Sequence, residues 1–444
     1  MMTGTNPTTL AAPPQDVRAG RTLASFDSSR IETFTTPQGI EVWLLPAPEL
    51  PMLMVELNFR AGAMLEPEAQ QGLANLTAAL ADEGAGEYDA VAFREELEAI
   101  GARFGAGADT QDLSMNLTTL SEHAPRALEL MGLAVTQPRY DEDAVARMRE
   151  ALLADIRQGD EDPGTVAWRL FRPAVYGNHA YANGGEGSLK TMGGLTREDV
   201  QNWHARYVTK ANLRVTVVGD ITAATLVPLL DKALGGLPAG DTRHAVATAP
   251  TPTTPQLVKK QMPIPQGTVL MGHLGLPRSD PDFYALLVMN EILGGSVLTS
   301  RLGQDVREKH GLVYSIYTAN APLPHNGMFF VSFATGNANV AKAIGLVRAH
   351  IQAIRDTPVS EEELADTKAY LIGSFPLRLE SNGKLLNMLS MMQNEGLAAD
   401  YLTTWPQRIA AVTQEDVQRA AQRLIAPDAM ALVVVGDAEA LDVQ

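Results

Sequence analysis

The 444-residue chain contains no cysteine. That absence removes disulfide scaffolds, thiolate-ligated zinc, iron–sulfur clusters and thiol nucleophiles together. It assigns no compartment, because a cysteine-free chain suits reducing and oxidising surroundings alike. Positive charge is also scarce: 35 Lys and Arg stand against 52 Asp and Glu, a net charge of −17 with a pI near 4.9. A surface that acidic repels phosphate backbones and anionic lipid, so no nucleic acid is expected among the partners. No apolar run reaches the roughly 18 residues that a spanning helix needs, so no membrane insertion is expected. Segment 1–25 is rich in Thr, Pro, Ala and Gly, lacks the apolar core of a signal peptide, and is expected to be a flexible N-terminal segment. No Walker A loop, dinucleotide-binding glycine motif, nucleophile elbow or EF-hand loop occurs. The closest two of the eight histidines are His310 and His325, too far apart in sequence for any helix to carry a His pair on one face.

What is present is enough apolar sequence for a large core: 45% hydrophobic and 20% charged residues, over a length that suits two or three domains. The most informative feature is a repeat. Thr196-Arg-Glu-Asp-Val-Gln201 recurs as Thr413-Gln-Glu-Asp-Val-Gln418, and Val217-Val-Gly-Asp220 recurs as Val434-Val-Gly-Asp437, both at the same offset with no gap between them. Each copy reads as an N-capped helix with an acidic first turn, then a strand of β-branched residues, then a turn. A period of nearly half the chain is too long for a solenoid and implies a duplicated domain. Gly235 to Pro255, crowded with Gly, Pro and Thr, reads as the connector. The expected organisation is 26–235 as a first domain, 236–255 as linker and 256–444 as a second domain.

Strands are expected at Glu41–Leu45, Met52–Phe59, Arg103–Gly107, Leu113–Thr119 and Leu213–Val218. A helix over Ala69–Ala81 and another over Val91–Ile100 lie between the early strands. The second half repeats the plan with strands at Leu257–Met262, Val269–Leu274, near Tyr314–Thr318 and at Met328–Ala334, and a helix over Phe283–Leu293. Strands early and helices late in each half make the fold class α+β.

Two segments have a specific look. The first runs Glu66-Pro-Glu-Ala-Gln-Gln-Gly-Leu-Ala-Asn-Leu-Thr-Ala-Ala-Leu-Ala-Asp-Glu-Gly84. The second runs from Asn290-Glu-Ile-Leu-Gly-Gly-Ser296 through Arg307-Glu-Lys-His-Gly-Leu-Val-Tyr314. With the duplication, they make the chain resemble the pitrilysin/insulinase family of zinc metallopeptidases, which includes mitochondrial processing peptidase, over nearly all of its length from about residue 25.

The resemblance implies an inverted motif, His-x-x-Glu-His, on the first helix of the first domain, with a downstream Glu completing the zinc site. Here the first His position is Asn75, the general-base position Ala78 and the second His position Ala79, while a carboxylate remains near the third-ligand position as Asp155. A catalytic zinc needs about three protein ligands, so Asp155 alone cannot hold it and no metal or other cofactor is expected in this chain. Without metal, water is a poor nucleophile near neutrality. Leu73, Leu76 and Leu80 make the stretch an ordinary amphipathic core helix.

The second segment is better kept. The resemblance implies an Arg and a Tyr that reach an active site, hydrogen-bond the substrate carbonyl and stabilise the oxyanion; Arg307 and Tyr314 match that pattern. A helix from Ser300 should end at Gly311, with Lys309 and His310 at its negative end, and Tyr314 should open a strand. Both side chains donate hydrogen bonds, as carbonyl polarisation requires. On the residues alone, a surface Arg capping a helix end and a Tyr half buried in a sheet explain the pair better; the resemblance favours the functional reading. Gly294, Gly295 and Ser296 stand where noncatalytic relatives carry a substrate-handling glycine loop, and a positive φ or a close chain approach is the expected use of those glycines. A plain helix end explains them equally well. Met388, Met391 and Met392 are spaced for one helix face and a core.

The resemblance thus implies a noncatalytic subunit paired with a homologous zinc-motif subunit, the two closing around peptide substrates, with zinc held by the partner. A scaffold or peptide-binding subunit without a role in proteolysis is the alternative. Secreted bacterial relatives and the truncated-looking start tilt the expected compartment from the cytoplasm toward the periplasm.

Overall fold

The computed structural model describes residues 26–241, 248–249 and 256–437. The expected N-terminal segment 1–25, most of the expected linker and the last seven residues of the second domain lie outside the described residues.

In the first half, strands β1 (Glu32–Thr35), β2 (Glu41–Pro46) and β3 (Met52–Phe59) precede helix α1 (Leu73–Ala79). A minimal hairpin, β4 (Gly84–Ala85) and β5 (Tyr88–Asp89), leads into α2 (Ala90–Ala99), β6 (Arg103–Ala108) and β7 (Leu113–Leu120). Helices α3 (Ala124–Thr136), α4 (Glu142–Glu161), α5 (Pro163–Tyr176), α6 (Leu189–Gly194) and α7 (Arg197–Tyr207) come next. Strand β8 (Leu213–Gly219) and α8 (Ala223–Leu234) finish the half.

The second half has β9 (Leu257–Gln261), β10 (Gln266–Leu274), α9 (Phe283–Asn290), β11 (Val313–Ala321) and β12 (Met328–Gly336). Then follow α10 (Val340–Asp356), α11 (Glu361–Ser374), α12 (Asn382–Asn394), α13 (Tyr401–Ala411), α14 (Gln414–Leu424) and β13 (Ala431–Gly436).

The two sheets share a five-strand topology, to which the first adds the edge strand β1. Their orders are β1-β2-β8-β3-β7-β6 and, read in the same sense, β9-β13-β10-β12-β11. The β2/β8 and β9/β13 pairs are parallel, and every other neighbouring pair is antiparallel. The repeated hexapeptides form the N-termini of α7 and α14, each closed by a capping box, Thr196 with Asp199 and Thr413 with Asp416. The repeated Val-Val-Gly stretches end β8 and β13, where Gly219 (φ +150°) and Gly436 (φ +156°) take a conformation open to glycine.

Central strands are apolar without alternation because both faces are covered. Val215, Val217 and Val218 of β8 are buried, as are Val433, Val434 and Val435 of β13. The second cover is exchanged between the halves. Phe171, Ala174 and Val175 of α5 pack on Leu270, Phe330, Val433 and Val435 of the second sheet. Leu386, Leu389 and Met392 of α12 share a core with Trp43, Leu45 and Val218 of the first sheet. Each half therefore lends one helix to the other's sheet. Polar contacts fix α12 there: Asn58 Nδ2 donates to Ser390 Oγ (2.8 Å) and Thr216 Oγ1 to Gln393 Oε1 (2.9 Å).

One expected helix is shorter than its pattern. Ala69–Ala81 is split into a single turn at Glu68–Gln70 and α1 proper, because Gly72 turns the chain at φ +100° between them. The expected methionine face holds: Met392 is fully buried, and Met388 and Met391 pack against the same core. Among the described residues no helix is long and apolar enough to cross a membrane.

Candidate functional site

Helix α1 buries Leu73, Leu76 and Ala78, and leaves Asn75 and Ala79 half exposed. Asp155 is exposed on α4. Among the described residues no group of three or more His, Asp or Glu is placed to hold a metal ion. Asn75, Ala78 and Ala79 supply neither an imidazole nor a base, so these residues do not fit zinc.

Other groups hold α1 in place. Its N-cap, Gly72, has no side chain to satisfy the first N–H groups. Glu66 does so from outside, accepting from Gly72 N (3.0 Å), Ala74 N (2.8 Å) and Asn183 Nδ2 (2.7 Å). Burial raises the Glu66 pKa above the ordinary carboxylate value against the pull of these donors. After the helix, Glu83, 3% exposed, is clamped between Arg94 of α2 and Arg147 of α4. A zinc ion in the implied motif would tie α1 to α4; in this chain an ion pair joins the two segments.

Arg307 and Tyr314 are brought together. The chain from 301 to 309 is helical and finishes in the wide π-helical turns Gly303–Lys309, and Gly311 (φ +60°) ends it as expected. Arg307 Nε donates to the Tyr314 carbonyl oxygen (2.8 Å), its guanidinium carbon lies 5.8 Å from the Tyr314 ring centroid, and Nη1 pairs with Glu308. Tyr314 is not half buried: it is 87% exposed, on edge strand β11. Asp305 braces the same helix end, accepting from His350 Nε2 of α10 (2.9 Å) and pairing with Lys309 (3.2 Å). These contacts hold its carboxyl below the ordinary range, His350 contributing most.

Gly294 and Gly295 do not take positive φ. Both lie in a second π-helical turn, Glu291–Gly295, that continues α9. Their use is close approach within the chain. A Cβ on Gly294 would stand 2.7 Å from Thr318 Cγ2 of β11, and one on Gly295 2.4 Å from Glu291 Oε2. Ser296 ends the turn in an extended conformation and accepts from Thr299 Oγ1 (2.7 Å). Gly294 thus sets how tightly α9 seats on the strand that carries Tyr314. π-helical turns are rare and concentrate at functional sites; two of them bracket residues 296–302 here.

Comparison with known sequences decides the family. The profile of the insulinase family, peptidase family M16, matches residues 46–186, and that of the peptidase M16 inactive domain matches residues 194–371. The chain belongs to peptidase family M16. It is 24% identical to the uncharacterised zinc protease YmxG of Bacillus subtilis over 91% of this chain and 98% of the relative. It is 26% identical to the non-peptidase homologue YmxG of Helicobacter pylori over 83% of this chain and 85% of the relative. A crystal structure of a peptidase M16 inactive domain from Pseudomonas fluorescens superimposes with a TM-score of 0.86 at 29% identity, covering 91% of this chain and 98% of that one.

Within this M16 member, the sequence pointed to Arg307 and Tyr314, which the fold places in contact, and to Asn75, Ala78 and Ala79 at the positions of the implied zinc motif. It missed Glu66, Glu83, Asp305 and the Gly294–Thr318 contact. Each works through a neighbour distant in sequence, and a lone Glu after a helix carries no sign of burial. The acidic Asp-Glu-Gly at 82–84 was the only visible signal for Glu83.

Proposed function

We propose that this chain is the noncatalytic subunit of a two-subunit M16 metallopeptidase and is inactive alone. A homologous partner with an intact motif supplies zinc, activated water and the general base. This chain supplies Arg307 and Tyr314 in trans, where guanidinium N–H and phenol O–H groups bind and polarise the carbonyl of a peptide or unfolded segment. Gly294, followed by Gly295 and Ser296, seats the turn after α9 against Thr318 of β11. The observation that carries the reading is the contrast between the erased zinc site and a Tyr314 that projects into solvent beside an Arg fixed at a helix end. Tyr314 is the most exposed large apolar side chain among the described residues.

The test is turnover of the mixed subunits on a quenched fluorescent peptide. Arg307→Ala or Tyr314→Phe is expected to lower kcat by roughly 10²–10³, the usual loss for one oxyanion donor. Wild-type turnover in both variants would leave the scaffold reading standing.

A further inference from the structure

Strand β11 closes one edge of the second sheet, the place that β6 holds in the first. Beyond the bonds to β12, no backbone group of residues 315–321 has a backbone partner among the described residues. The strand therefore offers a free edge. Its register also carries an extra residue. Val313 faces Thr335 and Ile316 faces Phe333, three steps on β11 against two on β12. Side chains alternate along a strand, so residues three apart, such as Tyr314 and Tyr317, take opposite faces when pairing is regular. The bulge cancels that alternation. Val313 and Ile316 both stay in the core with Leu302 and Val306, while Tyr314 and Tyr317 are both exposed, 87% and 38%.

Tyr317 is held in place by other rings. It meets Phe330 edge to face at 5.9 Å, and the buried Phe330 meets Trp168 of α5 in the same way at 4.8 Å. The Tyr317 ring thus rests on a fixed aromatic base and keeps more than a third of its area in solvent. The fold does not require a ring at this edge. On β6, Phe104, Ala106 and Ala108 pack on the core, and the alternate positions are Gly105 and Gly107, which bring no side chain to the other face.

We propose that Tyr317 is a specificity residue: it receives a large apolar side chain of the peptide whose carbonyl Arg307 and Tyr314 polarise. The peptide lies extended against the free edge of β11 and pairs with its main chain. The side chain opposite Tyr317 packs on the ring as a cross-strand neighbour. Roughly 10 Å of strand separates Tyr314 from Tyr317, so the apolar residue stands about three residues from the polarised carbonyl. The substrate class is then an extended segment with an aromatic or long aliphatic residue at that spacing. This assignment rests on the Arg307–Tyr314 reading, and the experiment separates the two.

Quenched peptides of Ala and Ser with a single Phe, moved one residue at a time, are cleaved by the mixed subunits, and the cut bond is read by mass spectrometry. The cut is expected about three residues from Phe, with kcat/KM about tenfold above that of the parent carrying Ala instead. Tyr317→Ser should remove the preference and leave cleavage of the parent within about twofold of wild type. Tyr317→Phe should keep it, and circular dichroism and Tm establish that both variants fold. A preference that persists in Tyr317→Ser overturns the proposal, whether or not overall turnover falls. So does a wild-type mixture indifferent to Phe. Wild-type turnover in Arg307→Ala counts against the pair and not against Tyr317. If the mixture cleaves nothing, the reading of the pair fails, and Tyr317 is judged on this chain alone by fluorescence anisotropy of labelled Ser-Ala-Phe-Ala-Ser and Ser-Ala-Ala-Ala-Ser. Tighter binding of the Phe peptide, lost in Tyr317→Ser, is the expected result; equal binding overturns the proposal.

Discussion

The first helix of the first half and the Arg307–Tyr314 segment of the second half are the two places where M16 membership leads one to look for chemistry, and they have been treated differently. In α1 the chemistry is gone and the scaffold stays. Asn75 and Ala79 sit on the half-exposed face, away from the packing of Leu73 and Leu76. The carboxylates Glu66 and Glu83 hold its two ends. In the second half the reverse holds. Tyr314 adds almost nothing to the core, yet two π-helical turns, the brace at Asp305 and the close seat of Gly294 converge on its surroundings. Metal sites are lost at little cost when their ligands face solvent; an exposed donor pair needs a rigid support if it is to act on a substrate.

The comparison breaks most easily at the Glu83 clamp. The double variant Arg94→Ala/Arg147→Ala leaves a buried carboxylate unpaired and should cost about 3–5 kcal/mol in chemical denaturation. A loss under about 1 kcal/mol would mean that the clamp does not hold α1.

The polar seam between the halves tests how they are joined. Asp112 is 8% exposed and lies 3.3 Å from Arg60, whose Nη2 donates to the Asn394 carbonyl of α12. Burial outweighs the Arg60 charge and pushes the Asp112 carboxyl from 3.8 up to about 6. The fold thus prefers the protonated form. That contribution is whole below about pH 4 and is lost as pH rises through about 6. Between pH 4 and pH 7.5 the stability of Asp112→Asn relative to wild type should therefore grow by about 2–3 kcal/mol, read from parallel urea curves. A pH-independent difference would place Asp112 in a solvated environment instead.

Gly294→Ala sharpens the second side of the comparison. Its methyl would meet Thr318 at 2.7 Å, so a cost of about 1–3 kcal/mol is expected together with lower turnover of the mixed subunits. Asp155→Asn is the smallest effect: an exposed carboxylate without a metal should change stability by less than about 0.5 kcal/mol and leave turnover unchanged. A large loss of activity there would assign Asp155 a role that α1 no longer supports.

The elements were legible wherever the signal was local. β-branched runs marked β8 and β13, Thr-x-Glu-Asp marked the capping boxes of α7 and α14, and the constant offset of the repeat foretold two sheets of shared topology. Gly311 ended its helix where its sequence context placed it. The exchange of α5 and α12 was not legible, because an amphipathic helix advertises an apolar face without saying which sheet will receive it. The same limit hid the burial of Glu83 and the reason for Gly294, whose neighbour Thr318 is fixed only once β11 has formed its sheet. Tyr314 lies on an edge strand next to a bulge with its ring outward, where the reading from the residues alone had it half buried in a sheet.

The division of labour is tested most directly by one cleavage measurement. The purified chain, with zinc supplied, is assayed on a quenched fluorescent peptide alone, beside its zinc-motif homologue alone, and in an equimolar mixture. The account predicts no cleavage by this chain and a mixture far more active than the homologue by itself. Zinc-dependent cleavage by this chain alone, or a mixture no faster than the homologue, would contradict it.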